Sequence, residues 1–108
     1  MDHFLVELQH QKERVEAIAA RIEQGQPYMD ELKSYLPTLN QTILTLFEVN
    51  QNTANPFEID QNFVLQVLND IIYGIEKEDS VCLADVLRYG LLEIYDYAET
   101  ELQQRGPS

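Results

Sequence analysis

The residue types that could do chemistry in this chain are few and widely spaced. Glu7-Leu8-Gln9-His10 is a Glu-x-x-His step, the helical unit that diiron carboxylate bundles use twice, with two further glutamates, to hold their metals. Here the step occurs once. His3, the only other histidine, precedes Glu7 by four residues, so His3, Glu7 and His10 share one helix flank and offer at most a single metal-binding patch. That flank is turned roughly 60 to 120° from the apolar stripe of the same segment, toward solvent and away from any helix that would supply more ligands. A solvated polar face is expected, with no metal bound.

Other candidate groups lack companions. Glu76, Glu78 and Asp79 form an acidic turn without the alternating oxygen ligands and central glycine of an EF-hand loop. Glu93 with Asp96, or Glu99 with Glu101, have spacings that acid–base chemistry can use, but carboxylates on helices abound in a chain with nineteen Asp and Glu. Cys82 has no histidine or base nearby in sequence. Its neighbours Glu78, Asp79 and Asp85 raise its pKa, against the opposite pull of a helix N-terminus, which suits a packing cysteine better than a nucleophile. No phosphate-binding glycine loop, nucleophile elbow or paired zinc cysteines occur. A non-enzymatic chain without a cofactor is expected.

The 108 residues are 44% hydrophobic with only eight Gly and Pro, a balance that fits one folded core. A chain of this length buries roughly two thirds of its surface, enough for stability without metal or disulfide. Seven Lys and Arg against nineteen Asp and Glu leave a formal charge of −12. Direct nucleic-acid binding and attachment to anionic lipid are therefore not expected, since both need clustered bases. Residues 54–108 hold eleven acids and three bases, a balance of −8, which would steer a basic partner to the C-terminal half. The single cysteine and the absence of a signal-peptide pattern at the N-terminus predict a cytoplasmic protein. No apolar run approaches the roughly 20 residues that a membrane-spanning helix needs.

Periodicity predicts a single-domain, all-α antiparallel bundle of about four helices over residues 1–108. In the first segment Phe4, Leu8, Gln11, Val15, Ile18 and Ile22 recur at helical spacing. Asp2 can cap its start and Gly25 with Pro27 can end it, giving a helix at about 3–24. Met29, Leu32, Leu36, Leu39, Ile43 and Leu46 define a second at about 28–50, continuous but kinked at Pro37 in preference to broken there. Residues Asn50 to Asn55 should form a loop. Asn55 as cap, Pro56 at the first helical position and Glu58 predict a third helix over 56–77, with Phe63 and Val64 on its buried face. Asp79 or Ser80 caps a fourth, 80–104, followed by a frayed tail at 105–108. The short turn makes helices three and four antiparallel neighbours, with Gly74 opposite Ala84.

The C-terminal pair has more apolar surface than one core can use. Cys82, Val86 and Tyr89 lie at i, i+4 and i+7 away from the Leu87–Leu91–Ile94 stripe, with Leu92 nearby and Glu93 and Asp96 continuing the line. Leu65 and Ile72 sit off the main stripe of helix three, and Tyr73 lies nearly opposite it. An apolar centre with an acidic rim, tyrosines included, fits a protein-binding surface. Irregular core remains an alternative for the same stripe. The size, acidity and amphipathic C-terminal helices are similar in general character to small bacterial secretion and flagellar export chaperones, without a diagnostic motif. The expected function is protein–protein interaction through the hairpin, with another protein or by self-association. The alternative is an acidic inhibitor or immunity protein that fills the basic nucleic-acid site of an enzyme with carboxylates such as Glu93, Asp96 and Glu99.

Overall fold

Two helices of this chain stop where a residue leaves the right-handed region and hands the last carbonyls new partners. The computed structural model describes residues 2–105, and of Asp2 the backbone alone. Its elements are α1 (Asp2–Glu23), α2 (Met29–Gln51), α3 (Gln61–Glu76), α4 (Ser80–Val86), a π-helical turn (Leu87–Leu91) and α5 (Leu92–Arg105). No strand occurs among the described residues. The last three elements follow one another without a break and together occupy the span expected of a single fourth helix. The result is the expected all-α bundle. The cap expected from the Asp2 side chain and the tail at 106–108 lie outside the described residues, while Arg105 is helical and anchored to Glu101.

α1 buries the whole stripe that its period predicts, from Phe4 to Ile22. Gln11 is buried with it and donates Nε2 to Glu7 (2.7 Å), but its Oε1 has no partner among the described residues and nothing in the fold accounts for that. The helix ends at Gly25, φ +71°, whose N–H donates to Ile22 O (3.1 Å) while Gln26 N–H reaches Arg21 O (2.9 Å). This is a Schellman motif. α3 closes in the same way without a glycine: Glu78 takes φ +51°, its N–H donates to Ile75 O (3.2 Å), and Asp79 N–H reaches Gly74 O (2.9 Å). A Cβ there costs about 1–2 kcal/mol. Glu78→Gly is therefore expected to stabilise by about 0.5–1 kcal/mol once the added freedom of the unfolded chain is subtracted, seen as a higher urea midpoint at unchanged slope.

α2 runs unbroken through Pro37, as the continuous phase predicts. Lys33 and Pro37 are both exposed, so water can reach the carbonyl that loses its donor. The helix continues through Asn50 and Gln51, which the sequence places in a loop. Asn50 is buried and grips the chain ahead: Nδ2 donates to Phe57 O (2.8 Å), and Phe57 N–H donates to Oδ1 (3.0 Å). That pair of bonds holds residues 56–60 outside any helix, with Phe57 buried. The expected start of α3 at Asn55-Pro56 is thus displaced to Gln61. Asp60 is the cap, accepting from Phe63 N–H (3.1 Å), and Ile59 and Val64 stand at the two positions of a hydrophobic staple.

α1 packs along α4, the π turn and α5, while α3 packs on α4 and the π turn. α2 joins α5 through two fully buried tyrosines, Tyr35 and Tyr95, whose hydroxyls are 2.9 Å apart. The Arg14 guanidinium covers the Tyr35 ring at 4.9 Å from its centroid.

Candidate functional site

Two glycines set how closely α3 approaches the last helix. A Cβ on Gly74 would lie 2.7 Å from Leu83 Cγ, and one on Gly90 would lie 2.9 Å from Val67 Cγ2. Both contacts belong to one antiparallel register, which brings Gly74 to Leu83 where Ala84 was expected. Close approach is thus why two glycines stand inside helices at about 1 kcal/mol each in propensity.

The π turn matters as much as the glycines. Leu92 N–H donates to Leu87 O, an i→i+5 bond that takes more residues per turn than an α-helix. Leu83, Leu87, Leu91 and Tyr95 recur at unbroken intervals of four, a spacing that drifts off one face in a straight α-helix. The wider turn absorbs the drift, and all four are buried.

Along the outer side of this seam, Cys82, Val86 and Tyr89 meet Phe63, Gln66 and Asp70 of α3 in an open groove of about 450 Å³. Tyr89 is 70% exposed, whereas Cys82 and Val86 are half-buried in the groove floor. Asp79 caps α4 by accepting from Cys82 N–H (3.1 Å). Burial pushes the Cys82 thiol pKa up, and the charges of Asp79, Asp70 and Asp85 push it the same way. The groove therefore disfavours a thiolate, as the sequence reading of a packing cysteine requires.

Phe63, expected on the buried face of α3, is 41% exposed and serves as a wall shared with a second cleft of about 670 Å³. That cleft is floored by Ile59, Val64 and Ile94, walled by Tyr97 and edged by Glu58, Asp60 and Glu93. Tyr97 holds the cleft's far wall in place by donating its hydroxyl to Glu58 O (3.0 Å) and stacking edge-on against Phe57 at 5.6 Å.

The residues singled out from the sequence do not form one surface. Cys82, Val86 and Tyr89 share the groove, and Glu93 edges the adjoining cleft. Leu92 is half-buried against the core. Asp96 is turned to α1, where it pairs with Lys12, as does Glu99 (3.0 Å). The hydrogen bond that Lys12 donates to Asp96, then the one it donates to Glu99, holds the Lys12 pKa above its ordinary value against the opposing pull of burial. Leu65, Ile72 and Tyr73 are exposed on α3 but line neither the groove nor the cleft. Phe63 and Tyr97 stand in their place as walls.

His3, Glu7 and His10 are exposed on α1. Among the described residues no three His, Cys, Asp or Glu gather in a way that could hold a metal ion, and no helix is long and apolar enough to cross a membrane. The chain matches no protein-family model, and neither a curated protein nor a solved structure is significantly similar to it.

Proposed function

We propose that the protein is a non-enzymatic interaction module, a small acidic adaptor, chaperone-like or regulatory protein of the cytoplasm, that binds another protein through its C-terminal hairpin. One observation carries this reading. Of nine large hydrophobic side chains exposed among the described residues, seven lie between Phe63 and Tyr97, and only Val6 and Leu44 lie elsewhere. Scattered apolar residues on a surface are ordinary, whereas their concentration on one hairpin, with Phe63, Tyr89 and Tyr97 lining an acid-edged groove and cleft, supports a binding face. The inhibitor alternative draws less support, because Lys12 stands against two of its three carboxylates, Asp96 and Glu99.

Affinity capture from the native host, at low and high salt, tests the proposal with the wild-type chain and Tyr89→Lys as parallel baits. A partner that withstands high salt on the wild type and is lost on Tyr89→Lys is the expected result. A partner held equally by both baits would move the binding face off the hairpin. Recovery of no partner, with a monomer at every concentration, would remove the interaction reading altogether.

A further inference from the structure

The groove and the cleft lie end to end along the α3 seam with Phe63 as their shared wall, and their lining residues follow one furrow from Cys82 to Tyr97. At 1.5 Å per residue that stretch is roughly 22 Å, the length of about four turns of helix. Its floor is apolar: Val67, Val86, Ile59 and Ile94 lie along it, between the rings of Tyr89, Phe63 and Tyr97. Its edges carry Asp70 and Asp85 at one end and Glu58, Asp60 and Glu93 at the other, and no Lys, Arg or His lines either part.

None of these five carboxylates is in an ion pair among the described residues. Of the three cations in residues 54–108, Lys77 lines neither part and the other two are engaged elsewhere. Arg88, in the π turn, reaches across to Glu23 of α1 through two bonds of 2.9 and 3.0 Å, and Arg105 is held by Glu101 and the Asn55 carbonyl. The negative field along the furrow is therefore uncompensated by the chain itself, and unpaired charge beside an apolar floor selects the sign of what covers it.

The backbone restricts the shape of the occupant. An extended peptide gains affinity by pairing its amides with a sheet edge, and the described residues contain no strand to pair with. A helix satisfies its own amides and can set one apolar face into the seam between two antiparallel helices. A second copy of this chain would bring −12 against −12, a juxtaposition of like charge that costs affinity.

We infer that the furrow receives a basic amphipathic α-helix of a partner protein, its apolar side chains against Phe63, Val86 and Tyr89 and its Lys or Arg side chains opposite Asp70, Asp85, Asp60 and Glu93. This rests on the interaction reading above and names the chemistry of the partner. The helix would be recognised by residues at i, i+3, i+4 and i+7 filling the floor, with its cations on the two flanks.

The test is a fluorescence-anisotropy titration of the full chain with an 18-residue Leu/Lys peptide whose leucines fall on one helix face. Two control peptides are titrated beside it, one of the same composition with the leucines scattered and one with Glu in place of every Lys. Binding of the first peptide is expected to weaken at least ~10-fold in Phe63→Lys and in Tyr89→Lys, which replace apolar walls beside the floor with charge. Leu44→Lys, on the exposed side of α2, is expected to leave it within about two-fold, as a surface change away from the contact does. Asp70→Asn/Asp85→Asn, which keeps the apolar floor, is expected to weaken binding about three-fold or more at low salt, with less difference at high salt.

Equal binding of the scattered peptide, equal binding of the Glu peptide, or indifference to Phe63→Lys and Tyr89→Lys would each overturn the inference. If the Leu/Lys peptide fails while a native partner still depends on Tyr89, the interaction reading stands and the basic helix does not. A concentration-dependent dimer abolished by Tyr89→Lys would make a second copy the occupant and overturn the inference in that direction.

Discussion

Asn50→Ala is expected to lower the unfolding free energy by about 2–4 kcal/mol, because it strands one buried donor and one buried acceptor at about 1–3 kcal/mol each. The two groups are the N–H and C=O of Phe57, which the Asn50 side chain satisfies together. Both are buried, so water cannot readily take over. Domains of this size are stable by about 5–15 kcal/mol in all, which makes the loss a large share of the total. The consequence extends to the furrow, since the segment held by Asn50 carries Glu58 and Ile59 into its wall. Urea denaturation gives the energy, and amide exchange at Phe57 gives the location. A loss below about 0.5 kcal/mol, the range of an ordinary surface substitution, would show that the clamp contributes little.

The second large effect concerns the two tyrosines that fasten α2 to α5. Tyr95→Phe is expected to cost about 1–3 kcal/mol because it deprives the Tyr35 hydroxyl of its partner in the core. Tyr35→Phe/Tyr95→Phe together should cost no more than the worse of the two single changes, since removing both polar groups leaves none unpaired. A double mutant that loses the full sum would mean that the hydroxyls act independently.

The same pair sets a dependence on alkaline pH. Burial, more than any neighbour, pushes Tyr35 up from 10.0 to about 12, and burial pushes Tyr95 up as well. A folded-state value raised above the unfolded one leaves the stabilisation complete below pH 10.0 and removes it as pH rises toward about 12 for Tyr35. Alkaline unfolding should therefore begin near pH 10 in the wild type and be displaced upward in the double Phe variant.

What could be learned from the residues alone follows the range of the interactions involved. The α1 stripe from Phe4 to Ile22 and the Gly25 stop depend on neighbours within one or two turns, and both appear where the pattern puts them. Asn55-Pro56 with Glu58 is an equally strong local signal for a helix start, yet it is overridden. Phe57 gains burial against Tyr97 and Arg105, 40 and 48 residues further along, together with the Asn50 clamp, and no local pattern encodes those partners. Asp60 between Ile59 and Val64 was the local signal that agreed with the tertiary structure.

The furrow was legible in part for a similar reason. Faces spaced at 100° per residue bring Cys82, Val86 and Tyr89 to one groove, because Cys82 and Val86 lie in ordinary helix and Tyr89 is only the third residue of the π turn. Beyond Leu91 the same spacing still brings Glu93 to the furrow edge but fails at Asp96. Asp96 is carried round to Lys12, and Tyr97 enters the wall beside Glu93. The run of four-residue intervals from Leu83 to Tyr95 was the visible sign that a wider turn was needed. Phe63 was harder to place: its exposure depends on α3 starting at Gln61, which in turn depends on Asn50.

Site-specific photocrosslinking in the native host tests the binding face most directly. A photoreactive phenylalanine analogue is placed at Tyr89, Phe63 or Leu44, three positions that are all exposed, and the products are resolved by size. Adducts to a different protein are expected from positions 89 and 63 and none from position 44. Adducts as frequent from position 44, or none from 89 and 63, would contradict a binding face on the hairpin.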